Sequence, residues 1–198
     1  MVRTASLALD VILTRPAAEG QTWATGLSKA GHRVKNWPLI DVNPLTDLMR
    51  LRSVLDAWHG YQAVMFVSRA AVTNALGAMK PKAGWGMTRC WATGPGTRQA
   101  LRDAGVPDTL IDSPPPDAAQ FDTESLWPVV QAKLQPLKPI LLLRGSDGDQ
   151  EDPSSQGSGR DWLLRQLALS GVAVEILSVY QRCVPRWDNY RLQEASQA

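Results

Sequence analysis

Short apolar runs alternate along the chain with segments whose apolar residues recur every three or four positions, the pattern of an α/β fold on a largely parallel sheet. Val11–Leu13 predicts the first strand, closed by Thr14, Arg15 and Pro16, and a helix follows over about 19–30 with Gly31 just past its end. An extended stretch over 34–42 contains Pro38, which suits an edge or a crossing better than a sheet centre. Thr46 is the expected cap of a helix reaching Trp58, Tyr61–Ser68 reads as a buried strand, and Arg69–Met79 as the helix after it. Arg89–Ala92 is a short strand that runs into Gly94-Pro95-Gly96-Thr97 and a helix ending at Gly105. The three prolines of Asp112–Asp117 predict a loop, Glu124–Leu134 a helix and Pro139–Leu143 a buried strand. Asp147–Gly159 is polar and rich in Gly, Ser and Asp; a helix over Asp161–Ser170 and a strand over Val172–Tyr180 follow it.

Two stretches repeat one another. Arg15 and Arg144 each follow an apolar strand, and Leu27-x-x-x-Gly31-x-x-Val34 matches Leu167-x-x-x-Gly171-x-x-Val174 position for position. Ile40 and Tyr180 each stand six residues beyond the valine. An L-x-x-x-G spacing ends many helices, TRQALRDAG among them, but agreement over strand, arginine, helix, glycine and strand predicts an internal duplication. The second unit opens near Ile140 and reaches Ala198 at less than half the length of the first, with no counterpart of YQAVMFVSRAAV or ATGPGT after Tyr180. On this reading the chain is truncated.

Composition narrows the function classes. Hydrophobic residues make up 44% of the 198 and charged residues 20%, ordinary for a globular protein with a real core. The net charge of +2, with basic residues scattered, gives no stripe for nucleic acid. Cys90 and Cys183 have no CxxC partner, so neither zinc nor redox spacing is present, and free thiols suit the cytoplasm. The longest apolar runs are too short to span a bilayer, and Asp10 interrupts any signal-peptide core. His32 and His59 stand alone after helix-ending stretches and read as loop residues; the eight tryptophans are spread along the chain and suit packing better than a stacking platform.

The motifs VILTRP, PLIDVNP, FVSRAAV, ATGPGTRQALRDAG, FDTESLW and LLLRG…GRDWLLRQLALSG…VYQRCVP occur in an order that resembles the uroporphyrinogen-III synthases. That resemblance implies two flavodoxin-like parallel-sheet α/β domains joined by a two-stranded linker. The outer domain would comprise 1–37 and 181–198 and be incomplete, the middle domain 44–178, with crossings near 38–43 and 179–185. A half-built outer domain would expose the apolar face of Val11–Leu13 and its helix, which predicts self-association of the isolated chain. Two departures from the family pattern stand out: Ala70 where asparagine is usual, and the insertion Asp149–Ser158, expected to displace Arg160 from the neighbourhood of Arg144.

The resemblance implies a cytoplasmic lyase of heme biosynthesis that needs no cofactor and no metal. Its substrate would be hydroxymethylbilane, a linear tetrapyrrole polycarboxylate, handed over by hydroxymethylbilane synthase to an enzyme that is monomeric at full length. The unassisted closure gives the uninverted isomer, so the work is orientation and electrostatics. A non-catalytic fragment that still binds tetrapyrrole or another anion is the alternative.

Candidate residues carry two readings each. Gly94, Gly96 and Thr97 open a helix whose free N–H groups suit a carboxylate, or Thr97 simply caps a helix beginning at Arg98. Ser68 ends a parallel strand, at the edge where open sheets bind ligands, or caps the following helix. Arg15 and Arg144, with Gly145 beside the latter, offer cations to carboxylates or form surface ion pairs. Arg69 reads as solvated. Tyr180 corresponds to the tyrosine the family keeps in VYQ; a phenol there is the candidate proton donor for the departing hydroxyl, or an aromatic anchor.

Overall fold

The computed structural model describes residues 8–45, 48–77, 81, 84–147 and 158–196. The chain divides into two compact units, one of residues 1–43 and 182–198 and the other of residues 44–181.

The outer unit opens with β1 (Asp10–Leu13), α1 (Ala17–Lys29) and β2 (Arg33–Asn36), the two strands pairing in parallel with Val11 opposite Val34. Gly31, at φ +91°, turns the chain from α1 into β2 in the left-handed region that glycine enters without strain. The pairing runs on through Trp37 N–H to Leu13 O (2.8 Å) and then meets Pro38, which has no N–H to give. The extended stretch expected over 34–42 is therefore two strands, β2 and β3 (Asp41–Pro44), with a break between them. At the other end of this unit α7 (Asn189–Ser196) is capped by Asp188 Oδ1, which accepts from Arg191 N–H at 2.8 Å. Trp187 Nε1 donates to Pro38 O at 3.0 Å, and Lys35 Nζ lies 2.6 Å from Glu194 Oε1. Among the described residues of this unit only Gly20, Trp37 and Pro38 are buried, while Ile12 and Trp23 are exposed.

The middle unit holds α2 (Leu48–Asp56), β4 (Ala63–Phe66), α3 (Arg69–Leu76), β5 (Arg89–Ala92), α4 (Pro95–Asp103), β6 (Ile111–Asp112), α5 (Thr123–Val130), β7 (Ile140–Asp147), α6 (Ser158–Leu169) and most of β8 (Val174–Cys183). Its sheet runs β3-β8-β7-β4-β5-β6, with β4 parallel to both β5 and β7, and β5 parallel to β6. The chain passes between the two units within β3 and within β8, which are neighbours in this sheet.

Every residue of β4 is buried, as are Ile140–Leu143 of β7, so both faces of the sheet are covered. On one face Ala63, Met65, Trp91, Ile140 and Leu142 pack with Leu126 and Val130 of α5 and with Leu163 and Leu167 of α6. The alternate residues Val64, Phe66, Leu141 and Leu143 are equally buried; α3 packs on β4 and β7, and α4 on β5. Each fully buried aliphatic side chain of this kind stabilises by about 1.5–3 kcal/mol.

Two sequence expectations need correcting. The proline loop begins one residue later than expected because Ile111–Asp112 adds the strand β6 beside Cys90 and Trp91. The helix expected to reach Leu134 ends at Val130 and tightens into a 3-10 turn over Gln131–Lys133, past Pro128 and its missing N–H. The expected cap Thr46, the bulk of the Asp149–Ser158 insertion and the side chain of Arg160 lie outside the described residues.

Candidate functional site

The parallel register sets Phe66 and Ala92, the last residues of β4 and β5, level with Leu143 of β7, which runs on to Asp147. Ser68 and Gly94 follow the ends of β4 and β5, and Gly145 lies in the part of β7 that runs past them, so the three share one edge of the sheet. From β4 the chain winds to β5 and β6 on one side, and β7 and β8 lie on the other, so the switch point falls between β4 and β7. Ser68 and Gly145 flank it.

Tyr180 of β8 reaches this point. Its ring lies so close on the backbone of Gly145 that a Cβ there would overlap it, with Cδ2 at 2.9 Å and Cε2 and Cζ nearer still. Only glycine fits beneath the ring. The phenolic Oη stands 3.1 Å from Ser68 Oγ, within hydrogen-bond distance, and Tyr180 is 5% exposed. Ser146 Oγ donates to Tyr180 O at 3.5 Å. Ser68 itself has extended backbone (φ −162°, ψ 163°) and its Oγ accepts from Ala71 N–H at 3.1 Å, which makes it the N-cap of α3. The capping reading and the sheet-edge reading of Ser68 thus describe one position.

The second group on this edge is the start of α4. Gly94 is its N-cap and Pro95 its first helical residue, so Thr97 sits inside the helix, buried, and does not cap it as expected. Proline at the first position costs no hydrogen bond, which is why the helix begins earlier than expected. With glycine as the cap no side chain occupies the first-turn N–H groups. A Cβ on Gly94 would stand 3.3 Å from Phe121 Cβ, and one on Gly96 would stand 3.7 Å from Arg69 Nη2. The turn therefore carries an exposed aromatic ring on one side and an exposed guanidinium on the other. Sequence reasoning gives neither Arg69 nor Phe121 a place in the site. The signal for Arg69 is its position directly after Ser68, at the start of the helix that packs beside α4.

Arg144 is half-buried, and its Nε has no hydrogen-bond partner among the described residues. Arg15 lies in the outer unit, exposed, 3.4 Å from Glu19 Oε2 and with its guanidinium carbon 5.7 Å from the Trp23 ring centroid, the geometry of a surface ion pair. Ser68, Gly145 and Tyr180 are thus brought into contact, Gly94, Gly96 and Thr97 form the adjoining turn, and Arg15 belongs to neither group.

Other polar groups serve the fold. Asp112 is buried and accepts from Arg89 Nη2 at 2.8 Å and from Lys133 Nζ at 2.6 Å, at the end of β5 away from Gly94. Burial pushes the Cys90 thiol up to about 12, which leaves it unreactive at neutral pH. Among the described residues no group of His, Cys, Asp and Glu could hold a metal ion, and no helix is long and apolar enough to cross a membrane.

The fold is similar to that of a mutant uroporphyrinogen III synthase from the extremely thermophilic bacterium Thermus thermophilus, at 18% identity and a TM-score of 0.53, over 95% of this chain and 68% of that one. The wild-type enzyme in a second crystal form matches at 18% identity and a TM-score of 0.46, over 95% of this chain and 67% of that one. The family model described as uroporphyrinogen-III synthase HemD matches residues 21–198, and the chain belongs to the uroporphyrinogen-III synthase family.

Proposed function

We propose that this chain performs the ring closure its family is named for, taking hydroxymethylbilane to uroporphyrinogen III with ring D inverted and one water lost. The observation that carries the reading is the seat of Tyr180, a phenol held on the Gly145 backbone at the switch point of the sheet with its hydroxyl against Ser68. As the carbon–oxygen bond on ring A breaks, the phenol gives its proton to the departing hydroxyl, which leaves as water. The ring A nitrogen supplies the electron pair and becomes the cationic azafulvene. Ring D attacks that carbon through its substituted position to form the spiro intermediate, which fragments and recloses through the unsubstituted position. The proton released as ring D regains aromaticity restores the phenol, so atoms and charge balance.

The rest of the edge supplies orientation. The free N–H groups of Gly96 and Thr97 take one substrate carboxylate, Arg69 beside them adds charge, and Arg144 offers a second cation after the buried run of β7. Holding the chain for attack through the more hindered position is what separates the inverted product from the unassisted one.

The test is a coupled assay in which hydroxymethylbilane is generated in place and the uroporphyrin isomers are separated after oxidation. Type III product above the control without this chain is expected, and Tyr180→Phe lowers its rate by about 10²-fold or more. Type I product alone from the wild-type chain refutes the proposal and leaves the anion-binding alternative; unchanged turnover in Tyr180→Phe refutes the donor role.

A further inference from the structure

We infer that Ser68 is a positioning residue that acts through Tyr180, donating its hydroxyl hydrogen to the phenolic oxygen so that the phenolic hydrogen is aimed away from the protein. The inference rests on the reading of Tyr180 as the proton donor. A serine hydroxyl has one hydrogen and two lone pairs. One lone pair of Ser68 Oγ takes Ala71 N–H at 3.1 Å, the capping bond of α3. Among the described residues the other polar atom within hydrogen-bond distance of this oxygen is Tyr180 Oη, at 3.1 Å. Either oxygen could donate at this distance; if Tyr180 did, Ser68 Oγ would accept twice and the serine hydrogen, not the phenolic one, would be left to face outward. A chain that runs Ala71 N–H to Ser68 Oγ–H to Tyr180 Oη–H keeps every donor pointing the same way, and each bond polarises the next. The helix N-terminus behind Ser68 adds to this, because its positive end strengthens the serine as a donor.

Gly145 completes the device. The Tyr180 ring cannot tilt toward the β7 backbone, which it already touches, so Ser68 needs to fix only the hydroxyl. A substrate contact by Ser68 itself, the role expected from its place at the strand end, would require it to give up one of these two bonds.

Three variants separate positioning from capping. Ser68→Ala removes both bonds, Ser68→Thr keeps both, and Ser68→Asp keeps an acceptor for Ala71 N–H but has no hydrogen to donate at neutral pH. Expected are a fall of about tenfold in kcat for Ser68→Ala with KM within about twofold, and recovery to within about threefold in Ser68→Thr. Ser68→Asp recovers the melting temperature but not the turnover. A readout free of turnover uses the full chain with 13Cζ-labelled tyrosine, whose three lines are assigned with Tyr180→Phe. The Tyr180 line moves in Ser68→Ala and returns in Ser68→Thr, while those of Tyr61 and Tyr190 stay. A Tyr180 line that ignores Ser68→Ala overturns the inference, and so does recovery of turnover together with stability in Ser68→Asp. If the wild-type chain makes no type III product, the proposed function falls, and the tyrosine line still decides whether Ser68 holds the phenol.

Discussion

Gly145→Ala adds one methyl group to the place where the structure leaves least room for it. The new carbon would stand 2.9 Å from Tyr180 Cδ2 and closer to two further ring atoms, and the neighbouring backbone belongs to β7, a strand paired with β4. The ring must therefore yield, by about 1 Å to regain an ordinary carbon–carbon contact. Overpacking of this kind costs about 1–3 kcal/mol, read as a lower urea midpoint at unchanged m. The same displacement breaks the 3.1 Å approach of Oη to Ser68 Oγ, so turnover falls by about 10²-fold. A double-mutant cycle isolates the cause: in a Tyr180→Ala background the ring is gone and Gly145→Ala should cost under ~0.5 kcal/mol. If Gly145→Ala is equally costly with and without the ring, the penalty lies in the strand backbone. The seat of Tyr180 would then be wrongly described.

Three further outcomes concern residues outside the candidate site. Asp112→Ala leaves Arg89 and Lys133 facing a site with no carboxylate; because both cations are partly exposed and Arg89 keeps Thr109 O at 3.2 Å, the loss in urea denaturation is about 2–3 kcal/mol, and a loss near zero would show that solvent replaces the carboxylate. The hydrogen bond from Arg102, helped by Arg98, holds the Asp108 carboxyl down at about 2. Its folded value is the lower one, so its contribution is complete above the ordinary carboxylate range near ~4 and is lost as pH falls through about 2; Asp108→Asn should flatten the stability profile in that window and lower its plateau at neutral pH, where the wild-type contribution is complete. A thiol reagent should modify half-buried Cys183 in the native protein and both cysteines in urea, and native labelling of Cys90 would contradict its full burial.

How much of the fold can be read ahead depends on how local its cause is. Ala63–Phe66 and Ile140–Leu143 announce themselves because a strand covered on both faces must be apolar throughout, and the wholly buried pattern of each is the result. Gly31 and Gly171, read as helix ends, both adopt positive φ. By contrast β6 has only two residues, one of them an aspartate, and owes its existence to the neighbouring strand and to the cations of Arg89 and Lys133. No periodicity can register an element that short.

The site shows the same division more sharply. Each of Ser68, Gly94 and Gly145 can be placed at a strand end from local pattern alone, and parallel register then puts all three on one edge. What joins Ser68 to Tyr180 is a contact across 112 residues of sequence, which no window along the chain contains. The identity of residue 145 is likewise decided by a ring 35 positions later, so a glycine that looks like an ordinary strand terminator is the floor on which the phenol rests. Arg69 reads from sequence as solvated, and it is exposed, which also leaves its charge open to an anionic ligand. Its guanidinium stands beside Gly96 because α3 and α4 pack side by side, and a side chain on Gly96 would narrow that approach. Residue type marked the places where chemistry was possible, and strand register and helix packing decided which of those places meet.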